Sequence, residues 1–455
     1  MLDQTAAPEL PPRVTPPPAP LGLWRAFRTA RRNLLELFPE AAYRDGLIEG
    51  GTVAPWKMVT DPDGLEHVFK TRAAIYPRSD TTRRMLRPVE GDSLFIAEGA
   101  DWRWQRRAMA PGFAQRSLAA LAPLMSASAE ASAARLAAQD GAVVDLHDEM
   151  VAATFDIIQD TLLAGRARLD RREVAEAVTR FIETMGRISF LDIVNAPDWI
   201  PRPNRVFARG ARRLDDLVDG IVKDRWRAGP QDPPDLLDLL MLSADPETGR
   251  RMTPVEVRNN LVAFIVAGHE TTALALSWAL WLVAYDPAVQ ARGRDEAQAA
   301  LGDRPATAEA LPRLGYVRQV VEEALRLYPP AGVMARTAKA EDALLGRPVA
   351  PGETILAPVW ATHRHRALWE DPDAFDPDRF APERAAGRHR YAFLPFGAGP
   401  RICIGAGFAM MEAQIILATL LARFRFSLAP GPAPRPEMLI TLRPKGGVRL
   451  TVERL

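Results

Sequence analysis

The chain has 455 residues, 47% hydrophobic and 25% charged, enough apolar material for a large packed core. A formal net charge of +1 excludes the strongly basic balance of a nucleic-acid-binding protein. One cysteine excludes both a disulfide scaffold and a paired-cysteine zinc site, and points to a reducing, cytoplasmic setting.

In chain order, residues 1–22 are proline-rich and lack the apolar run of a signal peptide, so a mobile or polyproline-type tail is expected ahead of one large domain over 23–455. Apolar periodicity predicts helices over 25–46, 117–139, 150–165, 205–229 and 314–328. Short β-prone runs predict strands over 52–59, 353–360 and 447–455. Thr253, Pro254 and Glu256 form a capping box with proline at the first helical position, opening a long helix through 285. That helix is apolar on every side, which places it in the core. His269, Glu270, Thr271 and Thr272 interrupt its greasiest stretch, so no membrane span is expected there. The balance predicts a mainly α protein with a minor β portion.

Three stretches carry chemistry. In "AGHETT" (267–272), Thr271 can bond back to the Ala267 carbonyl and loosen the helix, with Phe264, Gly268 and Ala275 on the same stripe. A kinked core helix accounts for Gly268 but not for Glu270, whose burial is costly without a partner. Glu323 and Arg326 form an E-x-x-R on a helix that stops at Pro329 and Pro330; such a pair is more often a solvated bridge. His363 and His365 read as loop residues rather than a metal pair, no third ligand being near. The third stretch, "FLPFGAGPRICIG" (393–405), holds the lone Cys403. Gly397, Gly399, Gly405 and Gly407 leave its backbone bare for close approach of a large group. An apolar helix follows directly, whose free N–H groups and dipole would favour thiolate over thiol, and Phe396 can shield the sulfur. A shielded thiolate is what a haem iron takes as an axial ligand.

Phe396, Gly399, Arg401, Cys403 and Gly405 match the F-x-x-G-x-R-x-C-x-G signature of the cytochrome P450 family, and Gly407, Ala409 and Glu412 continue the likeness. The resemblance implies the cytochrome P450 fold, a long central helix over the haem, and haem b with Cys403 as iron ligand. By the same resemblance Glu323 and Arg326 join Arg379, in "AFDPDRF" (374–380), in a structural network that pins the cysteine loop. Trp102 and Arg106, four apart, resemble the W-x-x-x-R helix that contacts haem propionates. Arg336 and Arg401 resemble the remaining propionate contacts, and Ala267, Phe396, Gly397 and Gly405 the rest of the cofactor surroundings. Glu270 and Thr271 match an acid–alcohol pair in which the hydroxyl and ordered water hold oxygen while the acid helps relay protons.

The implied activity is insertion of one oxygen atom of O2 into a C–H bond of a hydrophobic small molecule such as a fatty acid, terpenoid or related lipid. Pocket residues by resemblance are the segments 79–99 and 181–200 with Phe264, Val333, Met334, Leu439 and Ile440; Arg83, Arg84 or Arg87 could anchor a carboxylate. No signature for flavin or nicotinamide binding occurs, so a ferredoxin or flavodoxin with its NAD(P)H-dependent reductase is implied. Arg103, Arg107, Arg388 and Arg390 are expected to form its docking face. A peroxide-driven or rearranging haem-thiolate enzyme, or a non-catalytic haem-binding sensor, is the alternative; the Glu270–Thr271 pair argues against both.

Overall fold

A computed structural model describes residues 10–51, 54–163, 170–174, 176–177, 189–193, 200, 209–232 and 235–455. Among these the framing helices are α1 (Leu23–Ala30), α2 (Asp80–Glu90), α3 (Gly99–Met109), α4 (Gln115–Ala137), α5 (Leu146–Leu163), α6 (Arg209–Ala228), α7 (Pro254–Tyr285), α8 (Pro287–Leu301), α9 (Gly315–Leu327) and α10 (Ala406–Arg423). The strands β1 (Leu47–Gly50), β2 (Trp56–Val59), β3 (Met334–Thr337) and β4 (Thr354–Ala357) form one sheet in the order β1-β2-β4-β3. The β2–β4 pairing is parallel and the other two are antiparallel. A hairpin of β5 (Arg435–Met438) and β6 (Leu442–Lys445) stands apart. A separate three-stranded sheet joins Val143–Asp145, Phe424–Leu428 and Arg449–Arg454.

The centre of the core is α7. Its start is built as the capping box requires: the Thr253 hydroxyl accepts the Glu256 N–H at 3.3 Å, and the Glu256 carboxylate accepts the Thr253 N–H at 2.9 Å. Leu261, Ile265, Leu274, Trp278 and Leu282 are fully buried as it runs between α5, α6, α9 and α10. A Cβ on Gly268 would come within 2.5 Å of the Ile158 side-chain tip, so at the crossing with α5 any larger residue must displace that tip. By length and composition α7 and α10 are apolar enough to cross a membrane, yet most of each lies buried inside the protein.

Several boundaries differ from expectation, and proline explains most of them. The segment 25–46 is not one helix: α1 ends at Ala30, and single 3-10 turns follow at Leu34–Leu37 and Glu40–Tyr43. Pro39 has no N–H to donate and holds Phe38 in an extended conformation. Of 52–59 only β2 is strand, behind Pro55, and residues 52–53 lie outside the described ones. Of 353–360, β4 stops at Ala357, and Pro358 caps a helical turn, Val359–Thr362. The described part of the proline-rich tail, from residue 10, is not loose. Tyr328 donates its hydroxyl proton to the Pro12 carbonyl at 2.8 Å, Glu40 N–H bonds Pro17 at 2.8 Å, and Arg13 meets Asp373 at 2.6 Å. Tyr328 in turn stacks on Trp278 of α7 at 3.7 Å and 6°.

Beside that stack, Glu323 and Arg326 of α9 are wholly buried and share two hydrogen bonds of 2.7 and 2.8 Å. The other guanidinium N–H groups reach the carbonyls of His363 (2.8 Å), Pro372 (2.7 Å) and Ala374 (2.9 Å). Arg379 lies 3.4 Å from the Glu323 carboxylate and donates to the carbonyls of Glu370 and Asp371, while Asp376 N–H bonds Glu323 at 3.0 Å. Full pairing is what makes charge tolerable at this depth. His363, read from the sequence as a loop residue, carries the network onward. Its Nδ1 donates to the Arg326 carbonyl (3.1 Å) and its Nε2 accepts the Leu394 N–H (2.8 Å), tying α9 to the cysteine loop. Accepting at Nε2 requires the neutral ring, and burial with the nearby Arg326 charge pushes its pKa down to about 3.

Two outcomes follow. Arg379→Ala leaves buried Glu323 short of a partner and should cost about 3–5 kcal/mol, seen as insoluble protein or a lowered denaturant midpoint; a soluble variant with an unchanged midpoint contradicts this. The unfolded chain protonates His363 near pH 6.5 and the folded chain only near 3, so the histidine's contribution is complete above about pH 6.5 and is lost as pH falls towards 3. Denaturant midpoints should therefore drop between pH 7 and pH 5, less steeply in His363→Gln; equal slopes would exclude this histidine as the cause.

Candidate active site

The loop 393–405 closes around its own sulfur. Cys403 N–H donates to the Phe396 carbonyl at 2.9 Å, and Gly397 and Gly399 take left-handed φ angles of 73° and 67°. A Cβ on Gly399 would fall 1.8 Å from the Phe69 carbonyl oxygen, so this glycine makes room for backbone rather than for a bound group. Gly397 and Gly405 do have space: their nearest neighbours are the Met334 sulfur at 3.4 Å and the Cys403 sulfur at 3.9 Å.

Cys403 is accessible and lines a cavity, and the surrounding protein pushes its thiol pKa up. A Gly405 backbone N–H and the charges of Arg106 and Arg78 pull the other way without prevailing. The helix start, expected to favour thiolate, supplies that Gly405 N–H, while burial opposes it, and a coordinated metal cation is what ionises a sulfur so placed.

The cavity holds about 920 Å³ between α7 and the cysteine loop. Its wall takes in Phe264, Ala267, Val333, Met334, Leu439 and Ile440. Phe396, Trp102, Arg106 and Arg401 also line it, with Ser79, Thr82, Leu86 and Phe95 from the segment 79–99. Most of 181–200 lies outside the described residues. Thr271 lines the same cavity and donates to the Ala267 carbonyl at 2.7 Å, one turn back. Glu270 is buried but not orphaned: Thr441 donates to it at 3.1 Å and Arg443 at 2.7 Å, from the hairpin of β5 and β6. That pairing spans 173 positions of sequence and left no local signal.

Arginines crowd one end. Arg336, on β3, is buried, and Arg78, joined to it by a β-bridge, is half-buried. Burial first, and then neighbouring arginines, push their pKa values down to about 9 and about 10. Nε of Arg78 has no hydrogen-bond partner, and its guanidinium lies over Phe95 at 3.7 Å. Arg401 is partly spent, held by the Glu98 carboxylate and by the Ala97 carbonyl at 3.0 Å, with Trp102 beneath it at 4.5 Å. Arg106 has no ion pair among the described residues, and burial lowers its pKa. Glu90, the other acid here, is itself raised to about 7 by burial. Four arginines, Arg336 buried and Arg78, Arg106 and Arg401 half-buried, beside a sulfur that opens on a cavity, fit a group bearing two carboxylates and a thiolate-binding metal. Haem meets that description. Arg78 was missed in the sequence because only its tertiary pairing with Arg336 reveals it.

Several other candidate arginines already have partners. Arg107 is locked to Asp245 by bonds of 2.7 and 2.8 Å and holds that carboxylate well below its usual range. Arg388 packs over Trp369 at 4.4 Å and donates to the Arg379 carbonyl. Neither is free for docking a partner, whereas Arg103 and Arg390 are exposed. Arg84 bonds Thr81 at 3.2 Å and Arg87 bonds Asp92 at 3.1 Å.

The Cytochrome P450 profile matches residues 53–451. Cytochrome P450 4F12 of Homo sapiens is 31% identical, covering 96% of this chain and 87% of its own. Cyclooctatin synthase of Streptomyces melanosporofaciens is 33% identical over 84% and 83%, and the cyclooctat-9-en-7-ol 5-monooxygenase of the same organism is 36% identical over 77% and 75%. Among solved structures, the cytochrome P450DA heme domain superposes with a TM-score of 0.81 at 25% identity, covering 97% of this chain and 98% of its own. With that match over the sulfur loop, the arginine cluster and the central helix, the chain belongs to the cytochrome P450 family of haem-thiolate monooxygenases, and its only cysteine, Cys403, supplies the thiolate.

Proposed function

We propose that this monooxygenase hydroxylates a lipid-like molecule, a fatty acid, terpenoid or related compound, with electrons from a separate ferredoxin or flavodoxin and its NAD(P)H-dependent reductase in the cytoplasm. The observation that carries the reading is the largely apolar cavity of about 920 Å³ that ends on Cys403 and has the Thr271 hydroxyl on its wall. Apolar walls with few polar groups recognise hydrocarbon by excluding water. One relative is named for oxygenating cyclooctat-9-en-7-ol, which agrees with such a substrate.

Haem bound at Cys403 supplies the redox chemistry of oxygen activation. Arg78, Arg336 and Arg106 would hold its carboxylates, and Arg401, shared with Glu98, would supply a fourth charge. Phe396 lines the same cavity, and its carbonyl accepts the Cys403 N–H. The Thr271 proton is committed to Ala267, which leaves the hydroxyl's lone pairs to accept a hydrogen bond from water in the groove. Glu270 joins that groove to the hairpin, where Arg443 is partly exposed, so a proton taken from solvent at the hairpin has a carboxylate to pass through. Arg103 and Arg390 remain for docking an acidic electron carrier.

Spectral titration of the ferric holoprotein tests the substrate class: hydrophobic acids and terpenoids should displace water from the iron and shift the Soret band, and small polar compounds should not. A response confined to polar compounds contradicts it. Thr271→Ala should lower product formed per electron by about tenfold and raise peroxide release with haem content unchanged. Coupling equal to that of the native protein removes Thr271 from the oxygen chemistry.

A further inference from the structure

The largely apolar cavity carries an acid that has no part in the scheme above. Among the described residues three acids lie on its wall: Asp80, Glu90 and Glu270. Asp80 meets Lys339 at 2.9 Å, and Glu270 meets Arg443 at 2.7 Å. Glu90 has no ion pair among the described residues, although only 4% of it is exposed. Its one hydrogen bond among them comes from the buried Ser93 hydroxyl, which donates to Oε2 at 3.1 Å and leaves Oε1 without a partner.

The fold holds this carboxyl in place and disfavours its charge. Glu90 is the last residue of α2, where the helix dipole opposes a negative group. The segment that follows is tied to the central helix: Leu94 N–H donates to the Asn260 side chain of α7 at 2.7 Å, and Asn260 donates to Gln105 at 3.0 Å. Gln105 in turn donates to the Asp92 carbonyl at 3.1 Å. Burial raises the Glu90 pKa to about 7, against the Ser93 bond and the Arg78 charge, which both favour the ionised form. Haem carboxylates on Arg78 would offset that charge and favour the neutral acid further.

A neutral carboxyl on an apolar wall offers a bound molecule one O–H to donate and lone pairs to fill, and leaving them unmet in a dry pocket is costly. A hydroxyl or ketone oxygen can accept that proton. A substrate carboxylate would instead bring a buried negative charge beside an acid, while the arginines of the cavity, Arg78, Arg106, Arg336 and Arg401, are those that fit the haem carboxylates.

We propose that Glu90 is a specificity-determining residue, and that the substrate is a lipid bearing a neutral oxygen group, a hydroxyl or a ketone, which bonds the Glu90 carboxyl; a free fatty acid is disfavoured. This rests on the lipid reading given above and narrows it.

Spectral dissociation constants on the ferric holoprotein test it with three probes of one chain length: 1-dodecanol, 2-dodecanone and dodecanoate. The native protein should bind the alcohol and the ketone about tenfold more tightly than dodecanoate. Glu90→Gln keeps a donor and an acceptor and should keep that preference. Glu90→Leu keeps the volume but no polar atom, and should lose the preference because the alcohol and the ketone bind about tenfold more weakly. Native protein that prefers dodecanoate, or a Leu variant with the native preference, overturns the proposal and leaves the lipid reading in place. If none of the three binds the native protein, the lipid reading falls and this proposal falls with it.

Discussion

The structure depends on a carboxylate and a guanidinium that never meet water. Glu323 and Arg326 satisfy each other so completely that the remaining guanidinium N–H groups are free to gather three carbonyls from the segment before the cysteine loop. Removing charge from water is affordable only when every valence is filled, and filling these valences dictates where residues 363–379 run. The neutral ring of His363 then transmits that placement to Leu394, at the start of the sulfur loop. The position of Cys403 is thus decided by a polar network on the side of the loop away from the cavity.

On the cavity side the logic is reversed. There Arg336 is buried and Arg78 half-buried with too little acid beside them, and burial first, then neighbouring arginines, lowers their pKa values. A protein interior does not keep such an imbalance for stability; it is the complement of a dianionic ligand. The folded chain is rigid where its charges are paired and prepared for binding where they are not.

Local pattern made some of this legible and left the rest hidden. The capping box at Thr253, the back-bonded Thr271 and the motif around Cys403 lie within a few residues of their partners, so spacing alone exposed them. The E-x-x-R pair was visible, but not its burial. Arg78, His363 and Arg443 act through partners brought together only by the fold, and no periodicity marks them. The helix expected over 25–46 failed because its apolar spacing continued across Pro39 while the backbone could not. The proline-rich tail read as loose because composition does not show that Tyr328 and Asp373 wait to receive it.

The central claim is that Cys403 binds haem iron as a thiolate, the state that its buried surroundings disfavour without a metal. Reducing the purified protein under carbon monoxide tests it most directly. The account predicts the red-shifted Soret absorbance of thiolate-ligated haem; the absorbance of imidazole-ligated haem, or protein without porphyrin, would contradict it.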